Sequence, residues 1–467
     1  MFYFIKTHVL SVHFLVNLHS SDSLNCNMIF YQCKSAIQYA VFPIYDKNGI
    51  IFTKIEKENI EMKAYERLLK YAVIRTPSDE NSTTTPSSAC QFNLARVLVE
   101  ELKELGVEDA FVDDKCYVYG HIPATDGYEN VTRIGFIAHM DTVSDFCDHD
   151  ITPVLTPDYD GKDLVLGTSG RTLNTNLFTH LPSLKGRTLI TSDGTTVLGS
   201  DDKAGIAEIM TMIERLNEEQ IPHGPISIGF TPDEEIGEGA THFNVKVFDA
   251  DFAYTLDGGC EGEIQYENFN AGDVLFEIEG VNVHPGSSKD IMVNASLVAM
   301  EINSLLPKGN TPRDTDNYEG FYHLLSMEGN VAHAKLHYIV RDHDAVKYAE
   351  RLSILRDITR QLNDKWGEGT VKLTYKESYR NMAEIIESHP QLIEYAKQAC
   401  RQADVEPLVI PIRGGTDGAR LSFMGLPCPN LGTGGYGFHG PYEHNTIEGM
   451  DLSTDIAVEL VKIFAAE

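Results

Sequence analysis

The chain has 467 residues, of which 42% are hydrophobic and 23% are charged, and it carries a formal net charge of −31. That length exceeds what one ordinary hydrophobic core holds, so we expect two or three domains. The strong negative charge argues against nucleic acids and anionic membranes as partners. The eight cysteines are scattered and form no C-x-x-C pair, which favours free thiols and a cytoplasmic location.

Residues 1–61 differ from the rest of the chain. Their five lysines balance their five acidic residues, so the whole negative charge lies in residues 62–467. The first twenty residues are apolar but interrupted by three histidines, a pattern unlike a signal peptide or a membrane span. We interpret residues 1–61 as an extension outside the main domains, either an upstream reading artefact or loosely attached and poorly ordered. A small genuine subdomain is the alternative.

From Met62 onward, helical and strand-like patterns alternate. The predicted helices are 62–73, 91–105, 203–216 and 240–248. The predicted strands are 116–122, 133–138, 188–191, 225–230 and 252–256. Such alternation indicates an α/β domain with a mostly parallel sheet covered by helices. A Gly/Pro/Thr-rich stretch at 145–184 predicts a long insertion over one face of this domain.

The pattern changes between residues 269 and 379. The predicted elements there are strand 273–279, helix 293–305, strands 321–327 and 334–340, helix 345–363 and strand 371–375. The order β-α-β-β-α-β is the ferredoxin-like arrangement. We therefore expect an inserted α+β domain at 269–379 that divides the first domain into 62–268 and 380–467. The second part carries helix 390–403, an extended segment at 408–412 and helix 453–466.

Acidic residues and histidines follow several of the predicted strands. Asp201 and Asp202 lie in L-G-S-D-D-K-A-G, where the strand at 188–191 gives way to a helix. The other candidates are His139 and Asp141 in A-H-M-D-T, Glu234 and Glu235 in T-P-D-E-E, Asp257 in T-L-D-G-G, and His439 in G-F-H-G. The ligand crevice of an open α/β sheet lies beyond the carboxyl ends of its strands. We therefore expect four successive strands to bring these residues to one sheet edge, with His439 delivered there by a fifth element from the far end of the chain.

Each of these residues alone has an ordinary structural explanation. An aspartate at a strand end is usually a turn or helix cap, and adjacent glutamates usually form a solvated surface. The five carboxylates of Asp141, Asp201, Glu234, Glu235 and Asp257 and two histidines at one edge, however, require a cation to offset their repulsion. Mixed histidine and carboxylate donors suit zinc, with manganese or cobalt as alternatives. Two ions about 3.5–4 Å apart can share a bridging carboxylate and a bridging water.

Longer runs resemble a known family in register from about Met62 to the C-terminus. These runs are H-M-D-T, L-G-S-D-D-K-A-G-I-A-E-I-M, F-T-P-D-E-E-I-G-E-G-A, Y-T-L-D-G-G, N-V-H-P-G, P-I-R-G-G-T-D-G-A and L-S-F-M-G-L-P-C-P-N-L. They resemble the peptidase T family of tripeptide aminopeptidases, among the co-catalytic zinc exopeptidases. The resemblance implies two zinc ions per subunit, one held by His139, Asp201 and Asp257. The other would be held by Asp201, Glu235 and His439, with Asp201 bridging.

The resemblance also implies roles for neighbouring residues. Glu234 would be the general base that activates a zinc-bridging hydroxide and then serves as the acid. Asp141 would fix the imidazole orientation of His139. The peptide bond between Asp201 and Asp202 would be cis.

Substrate contacts follow from the same resemblance. The inserted domain would be a lid, with His284 as an oxyanion stabiliser, Arg413 as a carboxylate clamp and Asn294 nearby. The alternative for His284 is a plain turn residue before Pro285. The chain departs from the family near the last ligand, because Tyr442 stands where a histidine is expected and His444 follows it. We favour His439 as the ligand because it keeps the glycine-rich approach.

These features predict a cytoplasmic metallo-aminopeptidase that releases the N-terminal residue of short peptides, chiefly tripeptides. A homodimer through the 269–379 domain is a further expectation. A dipeptidase, a carboxypeptidase or an N-acyl-amino-acid deacylase is the alternative, since related enzymes share these ligands. A non-catalytic metal- or peptide-binding protein is a more remote alternative, which the presence of Glu234 disfavours.

Overall fold

The computed structural model of the chain describes residues 39–46, 49–56 and 62–467. The chain divides into two units at the boundary between Glu61 and Met62. In the first unit, strands β1 (Tyr39–Asp46) and β2 (Gly49–Glu56) pair as an antiparallel hairpin. The interpretation of the rest of residues 1–61 lies outside the described residues. Among the helices that the structure describes, none has the length and apolar character needed to cross a membrane.

The second unit contains eighteen strands and ten α-helices within residues 62–467. The strands are β3 (Phe111–Val112), β4 (Val118–Ile122), β5 (Ile134–His139), β6 (Pro153–Thr156), β7 (Leu164–Val165), β8 (Thr172–Leu173), β9 (Leu189–Ser192), β10 (Ile226–Thr231), β11 (Phe252–Leu256), β12 (Glu263–Gln265), β13 (Asn270–Glu279), β14 (Phe321–Gly329), β15 (His333–Asp342), β16 (Val371–Tyr379), β17 (Leu408–Val409), β18 (Asn430–Leu431), β19 (Gly435–Tyr436) and β20 (His444–Thr446). The helices are α1 (Ala64–Ala72), α2 (Gln91–Glu104), α3 (Ser200–Glu218), α4 (Val245–Phe248), α5 (Ala295–Leu305), α6 (Ala345–Trp366), α7 (Ala383–Ile386), α8 (Pro390–Gln402), α9 (Asp417–Phe423) and α10 (Ile447–Ala465).

An eight-stranded sheet in the order β17-β12-β18-β11-β5-β10-β4-β3 is the centre of this unit. Its middle is parallel, because β5 pairs in parallel with both β10 and β11, and β11 pairs in parallel with β18. Every residue of β5 and β10 is buried. Continuous apolar strands of this kind are typical of sheets covered on both faces. The predicted mixed α/β fold with a mostly parallel, helix-covered sheet is confirmed.

A second sheet has the order β14-β15-β13-β16, and all of its pairings are antiparallel. The chain runs β13-α5-β14-β15-α6-β16, which is the predicted ferredoxin-like order. Burial alternates along β13 and β15 because one face of this sheet packs on α5 and α6. The buried side chains of these six elements form a hydrophobic cluster separate from that of the large sheet.

One strand lies elsewhere than predicted. Strand β9 pairs antiparallel with β6 and β20 in a separate four-stranded sheet, so it is not a neighbour of β5, β10 and β11. The expectation that four successive strands of one sheet carry the candidate residues is therefore wrong for this strand. Its partner β20 lies near the far end of the chain, and local sequence patterns carry no information about such a pairing.

A buried arginine connects three helices by hydrogen bonds on one side of the large sheet. Arg67 of α1 is 2% exposed, and its Nε donates to Glu101 Oε1 of α2 at 2.8 Å. Its other nitrogens donate to Thr211 Oγ1 and Glu214 Oε2 of α3 at 2.8 and 2.9 Å. Burial alone would raise the pKa of Glu101, but hydrogen bonds from Lys70 and Arg67 outweigh burial and lower it. The carboxylate of Glu101 is therefore held ionised within the helical layer.

We expect Arg67→Met to lower the free energy of unfolding by about 3–5 kcal/mol, because it leaves the charge of Glu101 buried with fewer partners. Chemical denaturation followed by circular dichroism would measure the change. Arg360→Met is the control, since the Arg360 side chain is 74% exposed and pairs with Asp357 on the surface of α6. Equal losses of stability in the two variants would contradict the account.

Candidate metal centre

Three neighbouring strands of the large sheet deliver candidate donors at their carboxyl ends. His139 is the last residue of β5, and Asp257 directly follows β11. Glu234 and Glu235 follow β10 in a short 3-10 turn. Asp201 arrives differently, since it lies at the start of α3, where the peptide bond to Asp202 is cis as the resemblance implied.

The two carboxylate oxygens of Asp201 face different histidines. Oδ1 lies 2.9 Å from Nε2 of His139, and Oδ2 lies 3.3 Å from Nε2 of His439. Asp257 Oδ1 lies 4.0 Å from the same His139 nitrogen. On the other side, Glu235 Oε2 lies 3.0 Å from His439 Nε2. Asp201 is thus shared between two groups of side chains.

Each group has the composition of a metal site. The first contains His139, Asp201 and Asp257, and the second contains Asp201, Glu235 and His439. Within each group the donor atoms lie within 4.8 Å of one another. Mixed imidazole and carboxylate donors at such spacing suit zinc and similar divalent ions.

The charges at these side chains are mutually dependent. Burial raises the pKa of Asp257 to about 6 and that of Glu235 to about 7, and the nearby charge of Asp201 adds to both shifts. Hydrogen bonds to Asp201 and Glu235 raise the pKa of His439 to about 11. Burial opposes ionisation of Asp201 as well, yet hydrogen bonds from His139 and His439 lower its pKa. Ionisation of these carboxylates therefore depends on positive charge among them, and bound cations would also supply such charge.

The carboxylate of Asp141 lies beside the His139 imidazole and has two further partners. The Nδ1 of His139 lies 3.0 Å from the main-chain carbonyl of Asp141, which orients the ring with Nε2 towards Asp201. The Asp141 Oδ1 also lies 3.5 Å from the same His139 Nδ1, and the carboxylate accepts from the main-chain amides of Glu234 and Glu235 at 2.9 and 3.2 Å. Asp141 therefore contacts the imidazole through its backbone carbonyl and its carboxylate, and it positions the glutamate pair through the carboxylate.

Glu234 lies beside the two groups without belonging to either. Its side chain lines a small cavity shared with His139, Asp257 and Asp417. Burial raises its pKa, and the neighbouring charge of Asp257 raises it further. Within the described residues, no hydrogen bond engages the Glu234 carboxylate, so it can exchange a proton with a group in this cavity.

Sequence reasoning did not predict the hydrogen bonds by which two aspartates support the site. Asp202 accepts from the main-chain amide of His139 at 3.1 Å. Asp233 adopts a left-handed conformation with φ of 60° and accepts from the amide of Ser87 and the amide group of Gln91, both at 2.7 Å. Both aspartates stand next to predicted residues, but their partners lie too far along the chain for a local pattern to indicate.

The structure separates the two candidate histidines near the C-terminus. His439 contacts Asp201 and Glu235, whereas His444 is buried in β20 with its Nε2 2.9 Å from that of His180. The ring of His180 also stacks on Tyr436 at 4.2 Å between ring centroids. His439, and not His444, therefore belongs to the donor groups.

Of the three predicted substrate-contacting residues, two make hydrogen bonds within their own turn or helix. The third contacts the loop between α5 and β14. His284 is exposed, and its Nδ1 accepts from the amide of Gly286 in its own turn. Asn294 caps α5 by accepting from the amide of Leu297. Arg413 donates to three residues of one loop, Thr315, Asn317 and Glu319. Their roles towards substrate stay predictions.

A model of peptidase family M20/M25/M40 matches residues 199–463, more than half of the chain. Together with the fold and the donor groups described above, this match shows that the chain belongs to peptidase family M20/M25/M40 and is a peptidase. It is 50% identical over 404 residues to peptidase T of Clostridium perfringens, covering 86% of this chain and 99% of that protein. The predicted resemblance to the peptidase T family is thereby confirmed.

Solved structures share the fold at lower identity. A tripeptidase from Staphylococcus aureus is similar with a TM-score of 0.70 and 23% identity, over 87% of this chain and 99% of that chain. Aminopeptidase PepT from Bacillus cereus is similar with a TM-score of 0.69 and 22% identity, over 87% of this chain and 98% of that chain. These likenesses support the arrangement of a large, mostly parallel sheet and a second domain.

Proposed function

We propose that this protein is a zinc-dependent aminopeptidase that releases the N-terminal residue of short peptides, chiefly tripeptides. One observation carries the metal part of the proposal: the two oxygens of Asp201 face two separate donor groups. The substrate part is supported by 50% identity to peptidase T of C. perfringens along nearly the whole of that protein. It is also supported by the motifs shared with the tripeptide aminopeptidases.

In this proposal two zinc ions are held by the two donor groups, with Asp201 common to both. The residues fit such ions because each group combines one histidine Nε2 with two carboxylates. When bound, the ions would polarise the scissile carbonyl and lower the pKa of the attacking water. Manganese or cobalt would suit the same donors.

The chain's own residues would supply proton transfer and positioning. Glu234 would accept the proton of the attacking water and deliver it to the leaving amine, because its carboxylate shares the cavity with His139 and Asp257. The Asp141 carboxylate would hold Glu234 and Glu235 in position by accepting hydrogen bonds from their two main-chain amides. Arg413, His284 and Asn294 are the proposed contacts to substrate.

The remaining parts of the proposal concern location and assembly. A cytoplasmic location is supported by the six cysteines of residues 62–467, all of which are free. The inserted domain, at 269–379, is the proposed lid and dimer interface. Light scattering on the full-length protein would measure its oligomeric state.

We expect Glu234→Gln to keep its bound zinc while kcat for a tripeptide falls by about 10²–10⁴-fold, because an amide cannot accept the proton. Zinc per chain would be measured by mass spectrometry and kcat by amine release. Glu238→Gln is the matched control, since Glu238 lies in the same turn with its side chain 51% exposed. A Glu234→Gln variant that stays active would show that Glu234 is not the general base. A variant that loses zinc would show that Glu234 is a metal ligand.

A tripeptide with three different residues separates the proposed activity from its alternatives. We expect Ala-Gly-Leu to yield Ala and Gly-Leu, with far slower hydrolysis of its N-acetylated form and of the dipeptide Ala-Gly. Liquid chromatography with mass spectrometry would identify the first products. Release of Leu first would indicate a carboxypeptidase, and release of acetate or acetylalanine at equal rates would indicate a deacylase or an enzyme indifferent to the amino terminus.

A further inference from the structure

The carboxylate of Glu443 accepts four hydrogen bonds from the turn that leads into Asp201. Its Oε2 accepts from the main-chain amides of Leu198 and Gly199 at 2.7 and 2.8 Å. Its Oε1 accepts from the Ser200 hydroxyl and the Asp201 amide, both at 2.9 Å. Glu443 is only 2% exposed, so these donors take the place of water around a buried carboxylate.

This turn leads into helix α3, but Asp201 and Asp202 depart from helical backbone angles, so the N–H groups of the turn need acceptors from outside a regular helical turn. Gly199 stands at the cap position with φ of 72° and has no side chain that could accept from them. A carboxylate forms stronger hydrogen bonds with such N–H groups than a neutral oxygen does. Glu443 supplies this carboxylate from 242 residues further along the chain than Asp201.

Glu443 also belongs to the loop that carries His439. Its own amide donates to the carbonyl of Gly440 at 3.1 Å, which closes a turn from Gly440 to Glu443 directly after His439. The next residue, His444, begins β20, which is fixed by its pairing with β9. The Glu443 carboxylate therefore joins the segment of His439 to the segment of Asp201. The Nε2 of His439 and the Oδ2 of Asp201 lie 3.3 Å apart.

We infer that Glu443 is a positioning residue for the metal centre, an inference that rests on the metal ligation proposed above. It fixes the backbone of Asp201 relative to the loop of His439 while its own oxygens are occupied by the turn. Glutamine at this position would turn an NH2 group towards N–H or O–H donors and lose at least one of the four bonds. Asp201 and His439 would then shift relative to each other, and both donor groups would bind metal less tightly.

Zinc titration of the metal-free full-length protein tests this inference without using peptide hydrolysis. We expect Glu443→Gln to raise the zinc Kd about tenfold or more, as is usual when a partner of the ligands is removed. Ser200→Ala removes one of the four donors and leaves the carboxylate in place, so we expect a rise of about fivefold. This milder variant keeps the test decisive where Glu443→Gln does not fold, and circular dichroism would check folding.

Glu101→Gln is the matched control, because Glu101 is another buried carboxylate with several donors but contacts Arg67 and Lys70 on α1. It should lower the melting temperature and leave the zinc Kd unchanged. Wild-type zinc affinity in folded Glu443→Gln and Ser200→Ala would overturn the inference, as would an equal loss of affinity in Glu101→Gln. Zinc binding by a wild-type protein that cleaves no tripeptide would overturn only the proposed activity, and the affinities of the variants would still decide the role of Glu443.

Discussion

The shared carboxylate of Asp201 is the contact on which the rest of the site depends. Its two oxygens face His139 on one side and His439 on the other, so the two donor groups meet at this one residue. His139 and Asp257 come from the centre of the large sheet, whereas His439 comes from a loop near the end of the chain. A displacement of Asp201 would therefore alter both groups together.

Main-chain hydrogen bonds to other buried carboxylates hold these elements in place. Asp202 accepts from the amide of His139, and Asp141 accepts from the amides of Glu234 and Glu235. Glu443 does the same for the turn before Asp201. A hydrogen bond from an N–H group to a charged acceptor is stronger than one between neutral groups. The segments that carry His139, Asp201 and Glu235 are thus each fixed by an acidic side chain that belongs to neither donor group.

The sequence was informative where function and local structure coincide. The ends of β5, β10 and β11 are marked by apolar runs followed by acidic residues or histidine, so His139, Glu235 and Asp257 could be predicted to lie together. The ferredoxin-like order of the second sheet could also be predicted, since its helices and strands alternate with clear periodicity.

Long-range contacts could not be predicted in the same way. Strand β9 joins a separate sheet because it pairs with β20, more than two hundred residues away, and Asp201 therefore reaches the site from a helix start. The hydrogen bonds that the Asp141 and Glu443 carboxylates accept could not be predicted either. Most of their donors are main-chain amides, which almost every residue carries. The sequence already favoured His439 over His444, but the contacts of His439 with Asp201 and Glu235 are visible only in the structure.

X-ray anomalous scattering at the zinc edge, on crystals of the zinc-loaded wild-type protein, tests the central claim most directly. The account predicts two zinc peaks per chain, with one bound by His139 and Asp257 and the other by Glu235 and His439. Asp201 should contact both peaks, with one oxygen on each. A single zinc peak, or two peaks of which Asp201 contacts only one, would contradict the account.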